Sequence, residues 1–136
     1  MSIEQLKKLH NYIYYIYSKR MTIEFQDDAD IGDFGSYIEK RVVLLPRKII
    51  QNPSEWSLFA FLHEIGHIIT NTPKMKRYEQ EYLATQWALD EAKRIGFKVK
   101  QKNIDIYQEY IFDWRERSIK LKAKSVLPKE ALVLKY

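Results

Sequence analysis

Cysteine is absent from the 136-residue chain, which excludes disulfides and thiolate metal sites and leaves His, Asp and Glu as ligands for any metal ion. Zinc fingers and ribbons are excluded with it. Long apolar runs are missing too. No stretch stays apolar over the roughly 20 residues a bilayer demands. The opening Met1-Ser2-Ile3-Glu4-Gln5-Leu6-Lys7-Lys8 carries an acid and lacks the apolar segment of a signal peptide. A cytoplasmic protein is the expectation. Internal repeats, low-complexity tracts and linkers are also lacking, so one domain over 1–136 is expected, with a short tail from about 125 to 136. Nothing resembles a Ser-His-Asp arrangement, a phosphate loop or a dinucleotide fingerprint.

The formal net charge is +5, and much of the excess falls late, at Arg115, Arg117, Lys120, Lys122, Lys124 and Lys129. A solvated helix face explains such a run without a partner. No base-reading motif accompanies it, which disfavours a nucleic-acid surface.

Residues 3–19 place Ile3, Leu6, Leu9, Ile13 and Ile16 at steps of three and four, with Tyr12, Tyr14, Tyr15 and Tyr17 widening the face. This spacing predicts a first helix. Met21–Phe25 alternates apolar and polar residues and leads into acidic, Gly-containing sequence, which suggests a short strand followed by a loop. The β-branched and aromatic run Ser36–Pro46 favours strand, with Glu39-Lys40 as the turn of a hairpin, although neither residue suits the positive φ of the tightest turns.

Asn52-Pro53-Ser54-Glu55 predicts a helix start, with Asn52 as cap, Pro53 at the first position and Glu55 as the capping-box acid. This second helix should run to about Thr70. Almost every position from Trp56 to Ile69 is apolar apart from His63, Glu64 and His67, so the helix should be buried nearly all round. A third helix is expected from about 75 to 95, ended by Gly96 with Lys93 and Arg94 in its last turn. A fourth, from about 103 to 124, should turn Ile104, Tyr107, Ile111, Trp114 and Leu121 inward.

The chemistry is concentrated in His63-Glu64-Ile65-Gly66-His67. Histidines at i and i+4 share a helix face, so both rings can converge on one zinc ion at about 2.0 to 2.1 Å per nitrogen. Glu64 lies about 100° further round the axis. There its carboxylate can take a proton from zinc-bound water and later return it to a leaving amine. The ordinary alternative is a pair of core histidines. Two features weigh against it: the apolar surroundings make unpaired polar groups costly, and Gly66 in mid-helix costs about 1 kcal/mol relative to Ala, which points to a close approach by another backbone or a ligand. His10, alone in the first helix, reads as structural.

A catalytic zinc needs a third protein ligand and an open position. Glu79, Glu81, Asp90 and Glu91 are downstream candidates. Ala84, Ala88 and Ala92 form a stripe of small residues that would let the third helix pack closely on the second. Glu81 falls within about 20° of Ala88 on the helical wheel, while Glu79 and Asp90 point roughly the other way. Glu81 is therefore the expected third ligand. Asn71 and Thr85 continue the ligand faces and are candidates to orient them. A tyrosine suits the role of oxyanion donor, but there are ten and the sequence does not choose.

With its second element Glu81-x-x-Ala84-x-x-Trp87-Ala88, the sequence resembles the ImmA/IrrE-type metallopeptidases, from the hairpin near Gly35 to about Ala92. The resemblance implies a gluzincin-like α+β fold: a mostly helical single domain with a small twisted β-sheet beside the zinc helix. It also implies His63, His67 and Glu81 as ligands, Glu64 as base, Zn2+ as cofactor, and a role in mobile genetic elements or stress responses. Members commonly act on, or with, helix-turn-helix repressors, which makes a cytoplasmic repressor the implied protein substrate. Three departures stand out: Trp87 replaces the usual phenylalanine, Leu83 the frequent acid before the alanine, and the usual Leu-Leu-Met-Pro-like continuation is missing. The other functional readings are a zinc-containing anti-repressor that binds without proteolysis and, less favoured, a nucleic-acid-associated protein.

Overall fold

The computed structural model describes residues 1–30 and 33–136. Part of the expected loop after the first strand, Ile31 and Gly32, lies outside the described residues. The elements are α1 (Ile3–Tyr17), β1 (Thr22–Gln26), β2 (Gly35–Tyr37), β3 (Val42–Pro46), α2 (Lys48–Gln51), α3 (Glu55–Thr70), α4 (Arg77–Ile95), α5 (Gln101–Lys120) and a 3-10 turn (Lys129–Leu132). The architecture is a mostly helical α+β domain with a three-stranded mixed sheet. Among the described residues, no helix is long and apolar enough to cross a membrane.

The expected hairpin is present: β2 runs antiparallel to β3, pairing Gly35 with Leu44 and Tyr37 with Val42. Its turn is Ile38–Arg41, closed by Arg41 N–H donating to the Ile38 carbonyl at 3.2 Å. The positive φ falls on Arg41 (54°), so Glu39 and Lys40 avoid the backbone conformation that disfavours them. β1 joins the other side of β3 in parallel, Thr22 opposite Val42 through Gln26 opposite Pro46. The strand order β1-β3-β2 leaves β2 at an edge.

α3 is the central element, and Leu58, Phe59, Phe61, Leu62 and Ile65 along it are fully buried. They share one core with Leu6 and Ile13 of α1, Ile23, Val43 and Leu45 of the sheet, and Ala88, Leu89 and Ala92 of α4. The start of α3 differs from expectation. Ser54 is the cap, accepting from Ser57 N–H at 3.0 Å while Ser57 Oγ accepts from Ser54 N–H at 2.9 Å. Asn52 instead ends the short α2, which displaces the start of α3 toward the next available hydroxyl pair. Glu55 is free of the cap and meets Lys100 Nζ at 2.9 Å.

α3 and α4 approach closely where both carry small residues. A Cβ added at Gly66 would lie 2.5 Å from the Ala84 carbonyl oxygen and 3.0 Å from Ala84 Cα. Ala84, Ala88 and Ala92 are all fully buried, so the small-residue stripe is the packing seam. Gly96 ends α4 in the left-handed region at φ 81°.

Other buried faces are narrower than the residue spacing suggests. α1 stops at Tyr17, and of its tyrosines only Tyr17 is buried, while Ile3, Tyr12, Tyr14 and Tyr15 are exposed. α5 ends at Lys120, so Leu121 is 82% exposed instead of turned inward. The tail is docked. Leu132 is buried with Tyr78 and Ile111. Gln86 and Gln108 each hold tail backbone with both ends of the amide, Gln86 at Lys135 and Gln108 at Leu132 and Leu134.

Candidate metal centre

His63 and His67 lie one turn apart on α3, and the close seam at Gly66 brings Glu81 of α4 against them. His63 Nε2 is 3.0 Å from Glu81 Oε2, His67 Nε2 is 3.3 Å from the same oxygen, and the two Nε2 atoms are 3.0 Å apart. All three residues are buried, at 3%, 5% and 1% exposure, so little of the cluster is open to bulk water. The three residues offer donor atoms close enough together to hold a metal ion.

The remaining ring nitrogens decide which way the rings present their lone pairs. Thr85 Oγ1 donates to the Glu81 carbonyl at 2.7 Å, so at 3.0 Å it accepts from His63 Nδ1–H. Asn71 Nδ2 donates to the Gln80 carbonyl and Thr70 Oγ1, which directs its Oδ1 to accept from His67 Nδ1–H. Both Nε2 lone pairs therefore face Glu81 Oε2. Three electron-rich atoms at 3.0–3.3 Å repel one another unless a positive charge lies among them. A proton relieves one pair; a metal cation relieves all three.

Without a metal, a proton on an imidazole supplies that charge and couples the rings to the carboxylate. Burial alone raises the Glu81 pKa, but the hydrogen bonds and charges of His63 and His67 outweigh it and hold the carboxyl well below its ordinary range. Burial alone lowers the His67 pKa; the hydrogen bond and charge of Glu81, the charge of Glu64 and the Asn71 hydrogen bond turn the net shift upward. The cluster attracts positive charge.

The triad and Glu64 line a cleft of about 620 Å³. Glu64 is partly exposed, beside the triad and outside it. One wall is Phe34, Gly35, Ser36 and Ile38, from β2 and its flanks; another is α5 through Ile106, Tyr107, Tyr110 and Asp113. No family model, curated protein or solved structure matches this chain.

The other candidate acids lie apart from the cluster. Glu79 pairs with Lys76 at 3.8 Å, Asp90 accepts from Gln86 at 3.1 Å, and Glu91 pairs with Arg94. His10 is buried against Phe25 and Phe61, and burial lowers its pKa to about 4. It is a neutral core residue.

Two further residues, Tyr107 and Arg77, line the cleft beside the cluster. Tyr107 packs its ring 4.6 Å from that of His63, centroid to centroid, with Trp56 at 5.3 Å and Phe59 at 5.2 Å. Burial, then the charges of Glu64 and Glu81, raises its hydroxyl pKa, so it stays a proton donor at neutral pH. The helical spacing marked Tyr107 as inward without distinguishing it from other packing residues. Arg77 places Nη2 3.0 Å from Glu81 Oε1. Its signal was available: Arg77 and Glu81 are four residues apart on one helix.

Proposed function

We propose that the protein is a zinc-dependent peptidase of the ImmA/IrrE kind, acting in the cytoplasm on a protein substrate for which a helix-turn-helix repressor is the leading candidate. The observation that carries this reading is the convergence of His63 Nε2, His67 Nε2 and Glu81 Oε2 as a buried cluster lining a cleft. Tetrahedral ligands about 2.0–2.1 Å from zinc lie roughly 3.3–3.4 Å apart. The observed 3.0–3.3 Å separations fit that set with small relaxation. Three protein ligands leave one position for chemistry. A bound zinc ion supplies Lewis acidity there, polarising a carbonyl and making water more acidic.

The chain's own residues do the rest. Thr85 and Asn71 hold the rings in the ligating tautomer. Glu64 receives a proton from water at the cleft floor and returns it to the leaving amine. The unpaired side of β2 borders the cleft, and an extended substrate segment adds there as a further strand, with main-chain hydrogen bonds fixing its register. Tyr107, which lines the cleft against His63, is the residue assigned to donate to a carbonyl oxygen that gains charge.

The basic run supports a nucleic-acid role poorly. Arg115 donates to the Leu127 carbonyl and pairs with Glu116, Arg117 lies over Trp114, and Lys122 and Lys124 fall beyond the end of α5.

Glu64→Gln separates the roles. The variant is expected to retain zinc and lose about 100- to 10,000-fold in cleavage rate of a repressor substrate, whereas His63→Ala loses both. Unchanged cleavage in Glu64→Gln would refute the mechanism; repressor release by Glu64→Gln without cleavage would favour the binding-only reading.

A further inference from the structure

The Glu81 carboxylate divides its two oxygens between different partners. Oε2 faces the Nε2 atoms of His63 and His67 at 3.0 and 3.3 Å, while Oε1 is 3.0 Å from Arg77 Nη2. The carboxylate is almost wholly buried, whereas the arginine is half exposed and reaches it from the cleft rim. Arg77 is the first residue of α4 and lies one helical turn before Glu81, so the helix itself sets their spacing. The guanidinium is also held from α5, its central carbon 5.1 Å from the centroid of the Trp114 ring. Two helices thus determine where this cation sits.

The geometry points to Arg77 as a positioning residue that makes Glu81 a one-oxygen ligand, an inference that rests on the metal reading of the His63, His67 and Glu81 cluster. A carboxylate with both oxygens free can rotate and chelate a cation through both, as carboxylates do at hard-cation sites. In this cluster the second oxygen would take the position that substrate or water needs. A charge-assisted hydrogen bond from Arg77 holds Oε1 away and leaves Oε2 aimed at the imidazoles. Arg77 touches neither the reacting atoms nor the metal in this role; it acts through Glu81. Lysine is a weaker substitute, because its point charge on a flexible stem lacks the fixed fork of a guanidinium.

The test uses the purified full chain, stripped of metal and titrated with zinc against a chromophoric chelator, then separately with cobalt(II) while visible spectra are recorded. The wild-type chain should bind one equivalent and show the intense bands of four-coordinate cobalt. Arg77→Met should bind zinc about 10- to 100-fold more weakly and show weaker cobalt bands, because a two-oxygen Glu81 raises the coordination number. Arg77→Lys, the milder second variant, should recover part of the affinity. A purely structural role for Arg77 would change the metal-free melting temperature and leave the cobalt spectrum alone. Unchanged zinc affinity and cobalt spectra in both variants would overturn the inference while leaving the metal reading intact. A wild-type chain that takes up no metal would remove both.

Discussion

Gly66→Ala tests whether the α3–α4 seam sets the geometry of the cluster. The added methyl would meet the Ala84 carbonyl oxygen at 2.5 Å, and ordinary contact begins near 3.4 Å, so the helices must part locally by about 0.9 Å. All three contacting atoms at Ala84 are backbone, which no side-chain rotation can move aside. In isolation the substitution favours the helix by about 1 kcal/mol. Overpacking a tight interior seam costs about 1–3 kcal/mol, so a net loss of up to about 2 kcal/mol is expected. The effect on the cluster should be larger in proportion. Gly66 lies between the two histidines, and Ala84 lies on α4 three residues after Glu81, so the same displacement carries Oε2 away from both Nε2 atoms. Zinc affinity should fall about 10-fold or more. Urea unfolding of the metal-free protein and chelator competition on the same preparation measure the two effects separately. A Gly66→Ala protein that gains stability and binds zinc as the wild type does would refute the argument from close approach.

Thr85→Val and Asn71→Leu each remove a partner that fixes an imidazole tautomer, and each should weaken zinc binding about 10- to 100-fold in chelator competition. His10 makes an acid-side prediction. Its pKa is about 4 in the fold against an ordinary 6.5, so between these values the unfolded chain binds the extra proton. Its contribution is intact above pH 6.5 and is lost as pH falls toward 4, by up to about 3 kcal/mol. In urea unfolding at a series of pH values, His10→Leu should flatten this part of the profile; an equal slope in both proteins would contradict the assignment.

The helix of His63 and His67 was legible because both signals it carries are local: apolar residues nearly all round and two imidazoles one turn apart. Glu81 was legible for a related reason, since the alanine stripe told which side of the third helix meets the second. Gly66 supplied the matching observation on the other helix. Less local features escaped. The parallel pairing of β1 with β3 depends on contacts across some twenty residues, for which the alternating pattern of Met21–Phe25 gives no register. The Ser54 cap and short α2 depend on competition between neighbouring helix starts. The tail is held by Gln86 and Gln108, whose amides pair with backbone 49 and 26 residues away at Lys135 and Leu134; glutamine on a helix surface carries no mark of such a partner. Tyr107 was visible as a packing residue and became a cleft residue only when α5 was set beside α3.

The most direct measurement is zinc content after dialysis of metal-stripped protein against a defined zinc buffer, for the wild type, Glu64→Gln and Glu81→Gln side by side. One zinc per chain is expected in the first two, with most of it lost in the third. No zinc in the wild type, or equal zinc in Glu81→Gln, would contradict the assignment of His63, His67 and Glu81 as the metal centre.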